Sequence, residues 1–314
     1  MATRTKKKVV EDEKPKRPVG RPRKTNINKG IPREGIRDDP SNEEYVVELY
    51  YAYPMIFKKL SELYKALNAE YITINFTEDQ VLLQTTSFSE NIIIKTVIDC
   101  TNVHGYYCEN PINVSINRQT FDIAVKRIDP KFFESIRLII KDTDTEIHKM
   151  QIQLHNPSLD STSPTDLSLV VDHQFEDTYS WDEDNYPVSF KFNKADFKKY
   201  IGDVDGVSNK FTITKPGSYP LYFEYKTEGE NLSTMDPFPN EEKIGLESSI
   251  ADPTIVAATI GVKEIKPISN AQIADEVRIY IANDHYVMIK MNMDEAVDTK
   301  ILVKTASPED DQIN

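Results

Sequence analysis

Cysteine is nearly absent from this chain: Cys100 and Cys108 are the only two in 314 residues. Two thiols do not staple a secreted β-rich domain, and no apolar h-region opens the N-terminus, so a disulfide-framed extracellular fold is not expected. Asn75, Asn113 and Asn231 each begin an Asn-x-Ser/Thr triplet, and in that setting they read as chance. No run approaches the roughly 18 apolar residues that cross a bilayer. Glycine is also scarce, at ten residues, which leaves little room for a loop that cradles phosphates. Histidine is thinly scattered, at positions 104, 148, 155, 173 and 285. The one ligand-like spacing is Cys100-x3-His104-x3-Cys108, which lacks a fourth ligand and reads as reduced, half-buried thiols in a β-layer. The acidic "DEDN" at 182–185 reads as a solvated connector rather than a metal site. With no nucleophile or carboxylate constellation, no enzyme activity, cofactor or metal is expected.

Positive charge is scarce too, except in one place. Residues 1–37 hold thirteen Lys/Arg against four Asp/Glu, or +9, while the whole chain is −13, so the remainder carries −22. Residues 1–44 are polar, Pro-containing and poor in large apolar side chains, the composition of a disordered arm. Within them, Arg17, Gly20, Arg21, Pro22, Arg23 and Lys24 form "RPVGRPRK", which resembles an AT-hook. An extended Arg-Pro segment fits the minor groove, and its arginines seek the negative potential of narrow A·T tracts. A basic localisation or solubilising run has the same composition.

Aromatics are plentiful, with sixteen Tyr and thirteen Phe, so a globular body is expected. Its pattern runs twice. "YVVELYYAY" has strand composition; then Ile56, Leu60, Leu63 and Leu67 share a helical face behind Pro54, with Lys58 and Lys65 about 180–200° away. Strands "YITINF", "VLLQTT", "NIIIKTVI" and "NVSI" lead to a second helix, with Asn117 as N-cap, Phe121, Val125 and Ile128 inward, and Lys126 and Arg127 outward. "FESIRLIIK" and "HKMQIQLH" are strands. The order then restarts at "YPVSFKFN": helix "KADFKKYIGDV" has Phe197, Tyr200 and Ile201 inward and Lys198 and Lys199 outward. After "KFTITK", "PLYFEYK" and "TIVAATI", the helical "GVKEIKPIS" offers Lys263 and Lys266, and Pro267 limits it to about two turns. Strands "EVRIYIA" and "YVMIKMN" close the chain. This is an internal duplication of long period, with "FKK" recurring 140 residues apart. Between the halves, "SLDSTSPTDLSLVVDHQFEDTYSWDEDNYP" reads as a connector with one half-buried strand at its start.

Duplicated halves, an acidic body, lysine-backed helices and an apolar-then-acidic connector together resemble a sliding clamp of the proliferating cell nuclear antigen type. "MIFKKLSELYKALNAEYITINFTEDQVLLQTT" and "NVSINRQTFDIAVKRI" are similar to its first two helix segments, "DLSLVVDHQFEDTYSW" to its interdomain loop, and "KILVKTASPEDD" to its C-terminal segment. The match runs from about Tyr45 to Pro308, and the arm and length look most like clamps of large DNA viruses of the asfarvirus-like group. Met235–Asp252 does not match.

The resemblance implies an α+β fold: clamp domains at 45–165 and 189–305, an interdomain connecting loop at 166–188, and an acidic tail at 306–314. These would assemble into a closed ring, as a homotrimer, through edge strands near Asp166–Val171. It further implies a DNA polymerase processivity factor with double-stranded DNA in a channel lined by Lys58, Lys65, Lys126, Arg127, Lys198, Lys199, Lys263 and Lys266. The implied protein partners are polymerase, other replication and repair proteins carrying short hydrophobic and aromatic peptides, and a clamp loader where one is used. Their pocket would involve Val170, Val171, Phe175, Val303, Ala306 and Pro308. The implied location is intracellular, at viral replication sites in cytoplasm or nucleus. The rival readings are a clamp-fold transcription or checkpoint factor, and an AT-hook DNA-binding protein with a non-sliding β-rich body.

Overall fold

Alternating apolar strands and two kinds of turn-rich break organise the chain into eighteen strands and four α-helices, seen in a computed structural model that describes residues 45–141, 149–170, 175, 177–226, 233–237, 244–271 and 273–306. The first half comprises β1 (Tyr45–Tyr51), α1 (Met55–Ala66), β2 (Tyr71–Phe76), β3 (Gln80–Thr86), β4 (Ile92–Asp99), β5 (Gly105–Cys108), β6 (Ile112–Asn117), α2 (Arg118–Lys126), β7 (Ser135–Lys141), β8 (Lys149–Asn156) and β9 (Ser161–Val170). A 3-10 turn at Glu183–Asn185 lies in the connector. The second half comprises β10 (Val188–Asn193), α3 (Lys194–Asp205), β11 (Lys210–Pro216), β12 (Tyr222–Lys226), β13 (Ser233–Pro237), β14 (Glu247–Ser248), β15 (Ile255–Gly261), α4 (Val262–Ala271), β16 (Glu276–Ile281), β17 (Val287–Asn292) and β18 (Val297–Val303). The two halves have the same element order, as the repeat in the sequence anticipates.

All described strand pairings are antiparallel, so the fold is mixed α/β with antiparallel sheets. Fourteen strands form one sheet, in the order β14-β10-β16-β17-β18-β4-β3-β2-β6-β9-β8-β7-β1-β5, and β13-β12-β11-β15 form a second. The halves join where β18 pairs with β4, from Ile92 opposite Val303 to Ile98 opposite Val297. Helices pack as α1 on α2, α3 on α4, and α1 on α4, which makes a row in the order α2-α1-α4-α3.

The helical faces follow the apolar period. Ile56, Leu60, Leu63 and Leu67 are all buried, as are Phe121, Val125, Ile128, Phe197 and Ile201. Each large apolar side chain buried this way contributes roughly 1.5–3 kcal/mol. Asn117 caps α2 by accepting from the Gln119 N–H at 2.8 Å, and Asn193 caps α3 by accepting from Asp196 N–H at 2.9 Å.

Two expectations are corrected. Pro267 does not end the last helix: α4 runs ten residues through it. The lost N–H orphans one carbonyl, and burial of Ile265 before the proline and Ile268 and Ser269 after it holds the helix together. The connector's strand also starts earlier than Asp166. β9 begins at Ser161 because Ser161–Ser168 pair along β8, which makes a strand of residues that are mostly exposed.

Candidate nucleic-acid interface

The four helices carry ten Lys/Arg against six Asp/Glu, in a chain whose net charge is −13. Their buried faces meet the core, so the charged positions fall on the outer side of the row. Lys126, Lys198 and Lys199 are exposed and have no hydrogen bond or ion pair among the described residues. Lys263 is also exposed, 3.7 Å from its neighbour Glu264. Lys65 reaches Asp122 across the α1–α2 contact at 3.7 Å, and Lys266 reaches Asp205 across the α3–α4 contact at 2.6 Å. Pairs this exposed contribute little to stability, and they leave cationic surface for a polyanion.

Two of the expected channel residues are engaged elsewhere. Lys58 is half-buried, and its Nζ donates to the Ile128 carbonyl at 2.9 Å, tying α1 to the end of α2. Arg127 turns to β9, its Nη2 donating to the Ser163 carbonyl at 2.9 Å and to Thr165 Oγ1 at 2.5 Å. Both are outward by helical period, but their long stems fold back to carbonyls. Lys59, which the period analysis passed over, does the same between halves by donating to the Ile273 carbonyl at 3.3 Å.

The opposite, outer face of the large sheet holds the connector. Strand register places Lys191, Arg278, Lys290, Lys300 and Lys95 directly opposite one another on β10, β16, β17, β18 and β4. Five adjacent cations in one row repel, and like charges directly opposite destabilise a sheet. The connector supplies counter-charge. Asp177 accepts from Lys95 Nζ at 3.0 Å, Gln84 Nε2 at 2.9 Å and Trp181 Nε1 at 2.7 Å. Glu183 accepts from Lys290 at 2.7 Å and Tyr280 OH at 2.6 Å, with Lys300 at 2.8 Å. Lys300 also donates to the Trp181 carbonyl at 3.0 Å, and Lys95 lies over the Trp181 ring at 5.4 Å. Partial burial works to raise the Glu183 pKa, but bonds from Lys290, Lys300 and Tyr280 outweigh it and hold the carboxyl near about 2. Asp177 is likewise lowered, burial opposing and the Trp181 and Lys95 bonds prevailing.

Two residues along each strand runs a second row, Ile93, Leu302, Met288 and Tyr280, on which Phe175, Tyr179, Trp181, Tyr186 and Tyr286 pack. Phe175 is therefore placed where the expected docking pocket needs it. Val303 is not: it is 0% exposed in the main core on the sheet's other face, and its neighbour Leu302 faces the connector. This is a correction with a simple cause, because successive strand residues alternate faces. Val170 is half-buried and pairs with Ser115, and Ala306 is half-buried with its N–H donating to the Thr259 carbonyl at 2.9 Å. Val171, Pro308, the acidic tail beyond Ala306, and the arm residues Arg17, Gly20, Arg21, Pro22, Arg23 and Lys24 lie outside the described residues. The cationic row went unread in the sequence, although Lys95, Lys290 and Lys300 each interrupt an apolar strand and so signal an outward position.

Cys100 and Cys108 are free and half-buried, and burial pushes both thiols up. His104 is enclosed edge-on by Tyr50, Tyr51 and Tyr53, with Nδ1 accepting from the Ala52 N–H at 3.3 Å. Its burial lowers its pKa. Among the described residues no helix is long and apolar enough to cross a membrane.

No protein-family model matches the chain. It is similar, at 25% identity over 293 residues, to an uncharacterized protein of African swine fever virus from a Malawi tick isolate and a Kenya pig isolate. The aligned region covers 89% of this chain and 94% of each relative, so the likeness runs through the whole fold and supports a viral origin.

Proposed function

We propose that the protein is a ring-forming, non-catalytic DNA sliding clamp, a processivity factor that encircles duplex DNA and recruits replication and repair proteins. One observation carries the reading: the chain contains a closed joint between its halves and, at its two ends, the unfilled parts of a second such joint. The closed joint is β4 against β18, with α1 against α4. In the duplicated order, β13 corresponds to β4, β9 to β18, α3 to α1 and α2 to α4. Among the described residues, β13 pairs only with β12. β9 pairs only with β8 over Ser161–Ser168. α2 and α3 end the helix row, with Ile123 on α2 69% exposed and Val207 beyond α3 38% exposed.

The registers carry across. Arg137-Gln153-Pro164 repeats as Arg278-Lys290-Lys300, which makes Pro164 the counterpart of Lys300. Thr73-Gln84-Lys95 repeats as Thr212-Glu224-Met235, which makes Met235 the counterpart of Lys95. Lys95 lies opposite Lys300 inside the chain, so Met235 of one copy is expected opposite Pro164 of the next. A joint with different surfaces on its two sides is head-to-tail, and it closes into a ring when the rotation allows. The clamp resemblance sets the number at three.

In such a ring the helix row faces the hole. Lys126, Lys198, Lys199 and Lys263 supply loose phosphate contacts, and topology rather than affinity retains the DNA. The acidic exterior discourages DNA from wrapping the outside. The basic arm, by its charge, adds a tether.

Native mass by light scattering across concentration and salt tests the ring, together with polymerase stimulation on a long primed template. Three chains and longer products are expected. A persistent monomer without stimulation would instead favour a clamp-fold factor that binds DNA without sliding.

A further inference from the structure

The two rows beneath the connector form a track with one cationic rail (Lys95, Lys300, Lys290, Arg278) and one apolar rail (Ile93, Leu302, Met288, Tyr280). The connector occupies it with alternating chemistry: Phe175 and Tyr179 on the apolar side, Asp177 and Glu183 on the cationic side, and Trp181 touching Lys95. No strand pairing is described for residues 175–185, so ion pairs and ring contacts hold this stretch, and the carboxylates are 28% and 33% exposed. Beyond Glu183 the cationic rail continues unoccupied by the connector. Between Lys290 and Arg278 lies a cleft of about 150 Å³ lined also by Glu276, Tyr280 and Asn292. The counter-ion of Arg278 there, Glu247, is 69% exposed.

We propose that this track is a docking site for an extended, acidic and aromatic peptide segment of a partner protein, which displaces the connector by reproducing its alternation of rings and carboxylates. The inference rests on the partner-recruiting role above and names its ligand class. The apolar rail, and the acidic groups Glu247, Glu276 and Asp298 beside the cationic one, favour a peptide over a nucleic-acid strand. The partner's aromatic residues take the places of Phe175, Tyr179 and Trp181, its carboxylates take Lys95, Lys300 and Lys290, and a further carboxylate enters the cleft at Arg278.

The experiment is fluorescence anisotropy with a labelled synthetic peptide carrying residues 175–185 of this chain, titrated with the full protein at low and moderate salt. The chain with Asp177→Asn and Glu183→Gln, whose own connector is loosened, is expected to bind the peptide roughly tenfold tighter than the unmodified chain. Adding Lys95→Gln and Lys300→Gln to it should cost roughly tenfold or more, as should replacing every peptide carboxylate by its amide. The peptide comparison needs no further protein variant, so misfolding cannot imitate it. Equal binding of the amide peptide, indifference to the rail lysines, or no peptide binding at all overturns the proposal. So does an unlabelled single-stranded oligonucleotide that binds the loosened chain where the peptide does not. Neither DNA encirclement nor polymerase enters the readout, so the ring and the track can fail separately.

Discussion

The joint between the halves and the two open ends are built from the same elements, yet one is closed and the other is not. At the closed joint β18 is paired on both sides, and its apolar residues alternate between the main core and the connector face. Its counterpart β9 reads "STSPTDLSLV", is mostly exposed, and carries Pro164. The difference is what two kinds of contact require. A permanent intramolecular joint can be as apolar as a core, whereas an edge that waits for another copy must stay soluble alone, and polar residues and proline protect it.

That comparison can be broken on either side. Ile301→Ala removes a fully buried side chain of β18, opposite Ile94 at the closed joint, and should cost about 2–5 kcal/mol in urea or thermal unfolding. Thr234→Asp with Met235→Asp places carboxylates on the open β13 edge. Light scattering should then fall from three chains to one, while unfolding shifts by no more than about 0.5 kcal/mol. If both changes unfold the chain equally, the two joints are not distinct in kind. Replacing Lys126, Lys198 and Lys199 by Glu should leave mass and stability unchanged. The slope of log affinity for duplex DNA against log salt should flatten by about 3, since each lost phosphate contact removes about 0.9.

The connector gives a smaller and sharper test, because Trp181 is the chain's only tryptophan. Both anchoring carboxyls titrate below their usual range, so their contribution is complete above that range and is lost as pH falls toward the folded value, about 2 for Glu183. Trp181 emission should therefore hold from pH 7 to about 4 and shift red on approach to 2; a shift already complete by pH 5 would mean the ion pairs do not hold the connector. Smallest of all, Lys65→Ala and Lys266→Ala remove exposed pairs with Asp122 and Asp205 and should change stability by no more than about 0.5 kcal/mol.

Much of the fold was legible because burial leaves a period. The helical faces of α1, α2 and α3 and the Asn117 cap were read residue by residue, and the duplication showed in the restart at "YPVSFKFN". The candidate site was less legible. Helical period assigns a direction to a Cβ, not to the end of a lysine or arginine stem, which is why Lys58 and Arg127 bond carbonyls instead of facing outward. Val303 was taken for Leu302 because a one-residue step along a strand exchanges faces.

By itself, then, the sequence determined where strands and helices lie, that they occur twice, and that charge is divided between a basic arm and an acidic body, since each of these follows from local composition and spacing. Only the tertiary structure decided that Lys95, Lys290 and Lys300 stand side by side, and that one joint is filled while its counterpart is open. Those facts belong to strand register between residues about two hundred positions apart, and register is set by which faces can be buried together, a quantity no local window contains.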